Sequence, residues 1–123
     1  VAMVHDSSSL VNIVDHAVDL HIVLIDNRGG GIFSFLPQAT ALEQDQFEKL
    51  FGTPHSTDFE ALCRAHGVEY HEVSTEESLI EVSLRDGVRL SHVRSYRARN
   101  VEIHRELNDA VVGELERAFS TGG

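Results

Sequence analysis

The chain has 123 residues, 41% of them hydrophobic and 24% charged, which suits one globular domain with a sizeable core. Its formal charge of −10 argues against nonspecific nucleic-acid binding and against docking on an anionic membrane surface, since both need clustered Lys and Arg. Cys63 stands alone, so no intrachain disulfide forms, and no apolar run is long enough for a transmembrane helix. A lone Cys and no signal peptide make the cytoplasm the expected compartment.

The opening Val1-Ala2-Met3 lacks an initiator Met and runs straight into a helix-like pattern, so a piece of a longer protein is expected. Residues from Asp6 to Ser9 are helix N-cap types, and Leu10, Ile13, Val14, Ala17 and Val18 follow at helical spacing. His21 to Ile25 reads as a strand buried on both faces of a parallel sheet. A glycine loop follows, and its continuation Ile32 to Leu36 is too apolar for an ordinary exposed loop. Gln44 to Phe51 is expected as a short helix, broken by Gly52-Thr53-Pro54-His55 because Pro54 disfavours helix at Thr53.

Thr57-Asp58-Phe59-Glu60 matches a capping box for a helix that Gly67 ends, with Cys63 on its core side. Val68 to Val73 is the second strand. Ser74-Thr75-Glu76-Glu77 matches another capping box, and helix is preferred after it although Ile80, Val82 and Leu84 alternate like a strand. Asp86-Gly87 turns the chain into a third strand, Val88 to Val93. Asn100 is the expected N-cap of the last helix, with Glu102 in its first turn and Ile103, Leu107, Ala110, Val111, Leu115 and Phe119 as one apolar face. Alternation of this kind implies an α/β fold, a three-layer αβα arrangement with a mostly parallel sheet, in a single domain over residues 1–123.

The chemistry concentrates in Ile22-Val23-Leu24-Ile25-Asp26-Asn27-Arg28-Gly29-Gly30-Gly31-Ile32-Phe33. An apolar strand delivers polar residues and three glycines to its carboxyl end, where ligands bind in open α/β sheets. Carboxamide and carbonyl oxygens suit Mg²⁺ held together with substrate phosphates. A dinucleotide fingerprint is a poor match, since the third glycine of G-x-G-x-x-G is missing and Ile-Phe-Ser-Phe-Leu-Pro starts a helix badly. A phosphate-binding P-loop fails because no Gly-Lys-Ser/Thr follows. A plain glycine-rich turn remains open on these grounds.

The run Asp26 to Gln38 closely resembles the metal loop of one thiamine-diphosphate enzyme family, the 2-succinyl-5-enolpyruvyl-6-hydroxy-3-cyclohexene-1-carboxylate synthases, which reads N-[ND]-N-G-G-G-I-F-x-x-L-P. The resemblance continues through Phe51-Gly52-Thr53-Pro54-His55-x-x-Asp58-Phe59 and resumes at Asn100-Val101-Glu102-Ile103-His104-Arg105-x-Leu107-Asn108, so it covers nearly the whole chain. It implies a partial thiamine-diphosphate-binding fold, the C-terminal part of the diphosphate- and metal-binding domain. It also implies that the Asn27 side chain and the Gly29 carbonyl hold Mg²⁺ (or Mn²⁺). By the family's spacing, its Gly-Asp pair, which carries the anionic ligand, is expected immediately before Val1. The resemblance further implies that Val1 and Ala2 turn backbone N–H groups toward the diphosphate and that Ile32 and Phe33 line the apolar wall beside the reacting ring.

Two departures stand out: Asp26 replaces the usual first Asn, and Arg28 replaces a small polar residue. The guanidinium of Arg28 can pair with Asp26, face the diphosphate or point to solvent. His5-Asp6 also matches the family, but neighbours on a helix do not face each other, so a structural or capping role is preferred to a proton relay. The histidines show no zinc spacing, and His55 is left without an assigned role.

The implied activity is decarboxylation of 2-oxoglutarate and addition of the succinyl unit to isochorismate in menaquinone biosynthesis. The implied partners are the missing N-terminal domains and a second subunit, in a homodimer or homotetramer, whose pyrimidine-binding domain supplies the activating Glu. No residue of this chain is assigned a catalytic role, and the chain alone is expected to be inactive, to expose apolar surface and to self-associate. Two other readings stay open: an acetolactate synthase relative, which the Gly-Gly-Gly-Ile-Phe and Thr-Pro-His-x-x-Asp-Phe pairing disfavours, and a noncatalytic assembly module.

Overall fold

The computed structural model describes residues 2–120. Its elements alternate as the hydrophobic pattern requires. A broken N-terminal helix, α1 (Ala2–His5) and α2 (Ser9–Asp15), leads to β1 (Leu20–Asp26). A 3₁₀ turn (Gly31–Phe35), two single-turn helices α3 (Gln38–Ala41) and α4 (Gln44–Phe47), and a π turn (Glu48–Gly52) form the excursion that follows. Then come α5 (Phe59–His66), β2 (Glu69–Val73), α6 (Glu76–Ser83), β3 (Val88–Arg94) and α7 (Arg97–Ser120).

The three strands form a parallel sheet in the order β1-β3-β2. Leu20 through Asp26 pair with Val88 through Arg94, and Glu69 through Val73 with Arg89 through Val93. Because side chains alternate along a strand, Ile22, Leu24, Leu90 and Tyr70 share one face. They pack with Leu10 of α2, Cys63 of α5 and Val68 into the core. Burial pushes the Cys63 thiol up, which leaves it the inert core group its helical position predicts. The opposite face carries α6, whose Val82 and Ser83 carbonyls accept from buried Arg89. Helices on both faces of a parallel sheet make this a partial three-layer αβα fold.

Several boundaries move from their expected places. The helix expected over Gln44–Phe51 is α only to Phe47 and closes as a π turn, with Thr53 N–H reaching back to the Glu48 carbonyl at 2.7 Å. The cap of α5 is Asp58, not Thr57: its backbone is extended and its carboxylate accepts from Ala61 N–H at 2.9 Å. The cap of α6 is Thr75, not Ser74, in a capping box closed by Ser78, whose hydroxyl takes the part expected of Glu. Asn100 is not an N-cap. Its N–H donates to the Tyr96 carbonyl, so it lies inside α7, which begins at Arg97.

The apolar face expected on α7 exists but is uncovered: Leu107, Val111, Leu115 and Phe119 are all exposed. No helix among the described residues is long and apolar enough to cross a membrane.

Candidate functional site

Strand β1 ends at Asp26, and the chain then turns through two unusual backbone conformations. Arg28 has φ +56° and Gly29 has φ +152°, the second in a region that an L side chain rarely adopts. The turn is closed by short-range hydrogen bonds. Arg28 N–H donates to Asp26 Oδ1 at 2.8 Å, Gly29 N–H to Asn27 Oδ1 at 3.2 Å and Gly31 N–H to the Gly29 carbonyl at 3.1 Å. Asn27 Oδ1 and the Gly29 oxygen therefore each spend one lone pair within the loop and keep another. Two neutral oxygens with free lone pairs, at the carboxyl end of a parallel strand, fit a hard cation that brings its own anionic partner.

The glycines make room for backbone before they make room for a ligand. A Cβ on Gly29 would lie 2.1 Å from the Gly52 carbonyl oxygen, and one on Gly30 would lie 2.4 Å from the Phe51 oxygen. Gly30 N–H donates to that same Gly52 oxygen at 2.8 Å. A Cβ on Gly31 would collide with Asn27 Nδ2 at 2.4 Å, so the missing side chain lets the carboxamide lie against the loop. The segment Phe51-Gly52-Thr53 thus clamps the glycine loop. Two motifs separated by some twenty residues in sequence form one piece of structure.

His55, which had no assigned role, completes the clamp. Its Nε2 stands 3.5 Å from Asp26 Oδ1, and on the other side His92 Nε2 lies 3.2 Å from Asp26 Oδ2. Burial alone would raise the Asp26 carboxyl, but the Arg28 N–H, the His92 hydrogen bond and the two imidazoles outweigh it and hold the group below its ordinary range. An ionised carboxylate only accepts, so His92 Nε2–H is the donor to it. His92 Nδ1 then accepts from the Tyr70 hydroxyl at 2.7 Å, and burial with Glu72 nearby raises Tyr70 and keeps it a phenol.

His92 and Tyr70 lie outside every motif in the sequence. Only strand register reveals them: His92 pairs with Leu24 and Tyr70 with Leu90, which places both on the Asp26 face.

Asn27, Gly29, Ile32 and Phe33 come together on one loop. Ile32 is 74% and Phe33 36% exposed, so neither is ordinary core; both are available as an apolar wall, although Phe33 leans on the Phe51 ring at 5.7 Å. Ala2 stands apart as the first residue of α1, tied to the core through Met3. Val1 lies outside the described residues. On another side of the loop is an open cavity of about 900 Å³ lined by Asn27, Arg28, Arg94, Arg97 and Arg105. The Arg28 backbone bonds to Asp26, and the residue is part of the lining of this cavity.

With the sheet and loop in view, the class is defined: the model of the thiamine pyrophosphate enzyme C-terminal TPP-binding domain matches residues 2–94, and the chain belongs to this family. Within it, the chain is similar to 2-succinyl-5-enolpyruvyl-6-hydroxy-3-cyclohexene-1-carboxylate synthases. That of Chloroflexus aurantiacus is 42% identical over 98% of this chain and 21% of its own length. That of Saccharopolyspora erythraea is 44% identical over 90% and 20%, and that of Prosthecochloris aestuarii 35% over 98% and 21%. The chain therefore spans about a fifth of the length of these relatives.

Proposed function

We propose that the whole protein carrying this chain is a thiamine-diphosphate- and Mg²⁺-dependent transferase of menaquinone biosynthesis. It decarboxylates 2-oxoglutarate and adds the succinyl unit to isochorismate. The observation that carries this reading is the clamp: the loop motif and the Phe-Gly-Thr-Pro-His motif meet through the Gly30–Gly52 hydrogen bond and the His55–Asp26 contact.

In this reading Asn27 Oδ1 and the Gly29 carbonyl hold Mg²⁺ (Mn²⁺ serving in its place). Val1 and Ala2 are the residues this reading assigns to the diphosphate. Ile32 and Phe33 exclude water from one side of the reacting ring and present an apolar surface to it. Bound thiamine diphosphate supplies the electron sink for decarboxylation and carbon–carbon bond formation. The chain's own part is binding and orientation. A pyrimidine-binding domain of a neighbouring subunit provides the activating acid, in a homodimeric or homotetrameric cytoplasmic enzyme.

The test is an assay of the full-length protein with Mg²⁺, thiamine diphosphate and isochorismate, supplied with either 2-oxoglutarate or pyruvate. Product forms only with 2-oxoglutarate, and Asn27→Ala abolishes it. Preference for pyruvate would instead favour an acetolactate synthase relative.

A further inference from the structure

We propose that His55 and His92 are positioning residues that hold the metal loop in shape through Asp26. The proposal rests on the metal-binding reading of Asn27 and Gly29 given above. Asp26 immediately precedes Asn27, and four separate segments fix it. Its Oδ1 accepts from Arg28 N–H at 2.8 Å, within the loop. Its Oδ2 accepts from His92 of β3 at 3.2 Å, and His55, beyond the π turn, stands 3.5 Å from Oδ1. Its backbone carbonyl accepts from Ser95 N–H at 2.8 Å, just ahead of α7.

The two imidazoles are themselves held. Phe59, almost wholly buried, stands edgewise to both, with ring centroids 5.6 Å from His55 and 5.3 Å from His92. Tyr70 fixes the far nitrogen of His92.

This arrangement has a clear object. Arg28 is a non-glycine residue in the left-handed region, a conformation that is strained for an L residue. The Asp26 Oδ1 bond to its N–H offsets that strain and sets the spacing between Asn27 and Gly29 on either side of it. A carboxylate free to rotate would release Arg28, and the two metal-directed oxygens would lose their common orientation.

The experiment uses the full-length protein and two readouts. The first is amide hydrogen exchange at residues 27–31 without metal. The second is Mn²⁺ affinity with thiamine diphosphate, read by electron paramagnetic resonance. In Asp26→Ala, His55→Ala and His92→Ala, exchange should speed up and Mn²⁺ affinity should fall, each tenfold or more. Asp26→Asn keeps the oxygen that accepts from Arg28 N–H, with the His92 ring reversing its tautomer between the new carboxamide N–H and the Tyr70 hydroxyl, and His55→Gln keeps a donor at the Nε2 position, so both should stay within about threefold of the parent. Leu90→Val serves as a control for lost stability and should leave both readouts unchanged. Parental values in the alanine variants, or equal damage in the Asn and Gln variants, would overturn the proposal. If the alanine variants do not fold, the Asn and Gln variants decide it alone. A parent protein that binds no Mn²⁺ with thiamine diphosphate would remove the metal-site reading itself, and the inference with it.

Discussion

Two buried charges lie on neighbouring strands at opposite ends of the sheet, and they are held in different ways. Arg89, near the start of β3, is 6% exposed, and Asp26, the last residue of β1, is 8% exposed. Arg89 makes close bonds to four acceptors: Asp19 Oδ1 at 2.8 Å and the carbonyls of Val82, Ser83 and Gly87 at 2.9, 2.9 and 2.7 Å. Two of those carbonyls are in the last turn of α6, where a cation also meets the negative end of the helix dipole. Asp26 is held instead by the Arg28 N–H of its own loop at 2.8 Å and by two histidines at 3.2 and 3.5 Å, and His55 Nδ1 is buried with no hydrogen-bond partner among the described residues. The charge at the amino end of the strands is bonded to four acceptors and serves stability. The charge at the carboxyl end is held by the loop that follows it and by two imidazoles, at the end of the strands where ligands bind in open α/β sheets.

The strongest way to sharpen this contrast is to remove Arg89. Arg89→Met strands the buried Val82 carbonyl, takes the donor from the part-buried Ser83 carbonyl and should cost roughly 3 kcal/mol of unfolding free energy. Metal affinity of the full-length protein should be untouched. Denaturant unfolding and Mn²⁺ titration check the two halves separately, and a fall in affinity beyond the loss of folded protein would break the distinction between the two ends. Gly29→Ala is the converse. Its Cβ would lie 2.1 Å from the Gly52 oxygen at a φ of +152°, so the loop must shift and Mn²⁺ affinity should fall at least tenfold. The core lies elsewhere, so the loss of stability should be smaller than for Arg89→Met. Next comes Asp58→Ala, which removes the cap bond to Ala61 N–H and should cost about 1 kcal/mol. It sits close to His55 in sequence, so unchanged loop exchange in this variant would show that proximity alone does not disturb the clamp.

What the sequence made legible follows from how far apart the interacting residues are. Strands β1 and β3 and the core position of Cys63 rest on local periodicity and were readable, as was the loop motif. Cap positions slipped by one residue where two adjacent side chains could both cap, as with Thr57 and Asp58 or Ser74 and Thr75. There the backbone, not the residue type, makes the choice. Asn100 was misplaced because good helix formers Arg97, Ala98 and Arg99 let α7 start earlier. His92 and Tyr70 were invisible because their link to Asp26 depends on which strands adjoin, and strand order is not local information. Periodicity showed that α7 has an apolar face, but it says nothing of what covers that face.

The smallest effect expected is on acid stability, and it distinguishes the two ends of the sheet by pH window. His21, paired with Arg89 across the sheet, is held below its ordinary value of 6.5 by burial, by the charge of Arg89 and by His71. Its neutral form is favoured in the fold, where it shares a 2.9 Å hydrogen bond with Ser91 Oγ. The folded state therefore binds fewer protons than the unfolded one, and this contribution is complete above pH 6.5 and lost as pH falls through the lower folded value. Asp26 is also held low, so its contribution is complete above 3.8 and lost only below that. Stability should decline on acidification in two separate steps. His21→Asn, which removes the titrating ring, should flatten the first, and Asp26→Asn the second. If one substitution erased both steps, the two ends would be a single coupled network, and the division between a structural and a functional charge would fail.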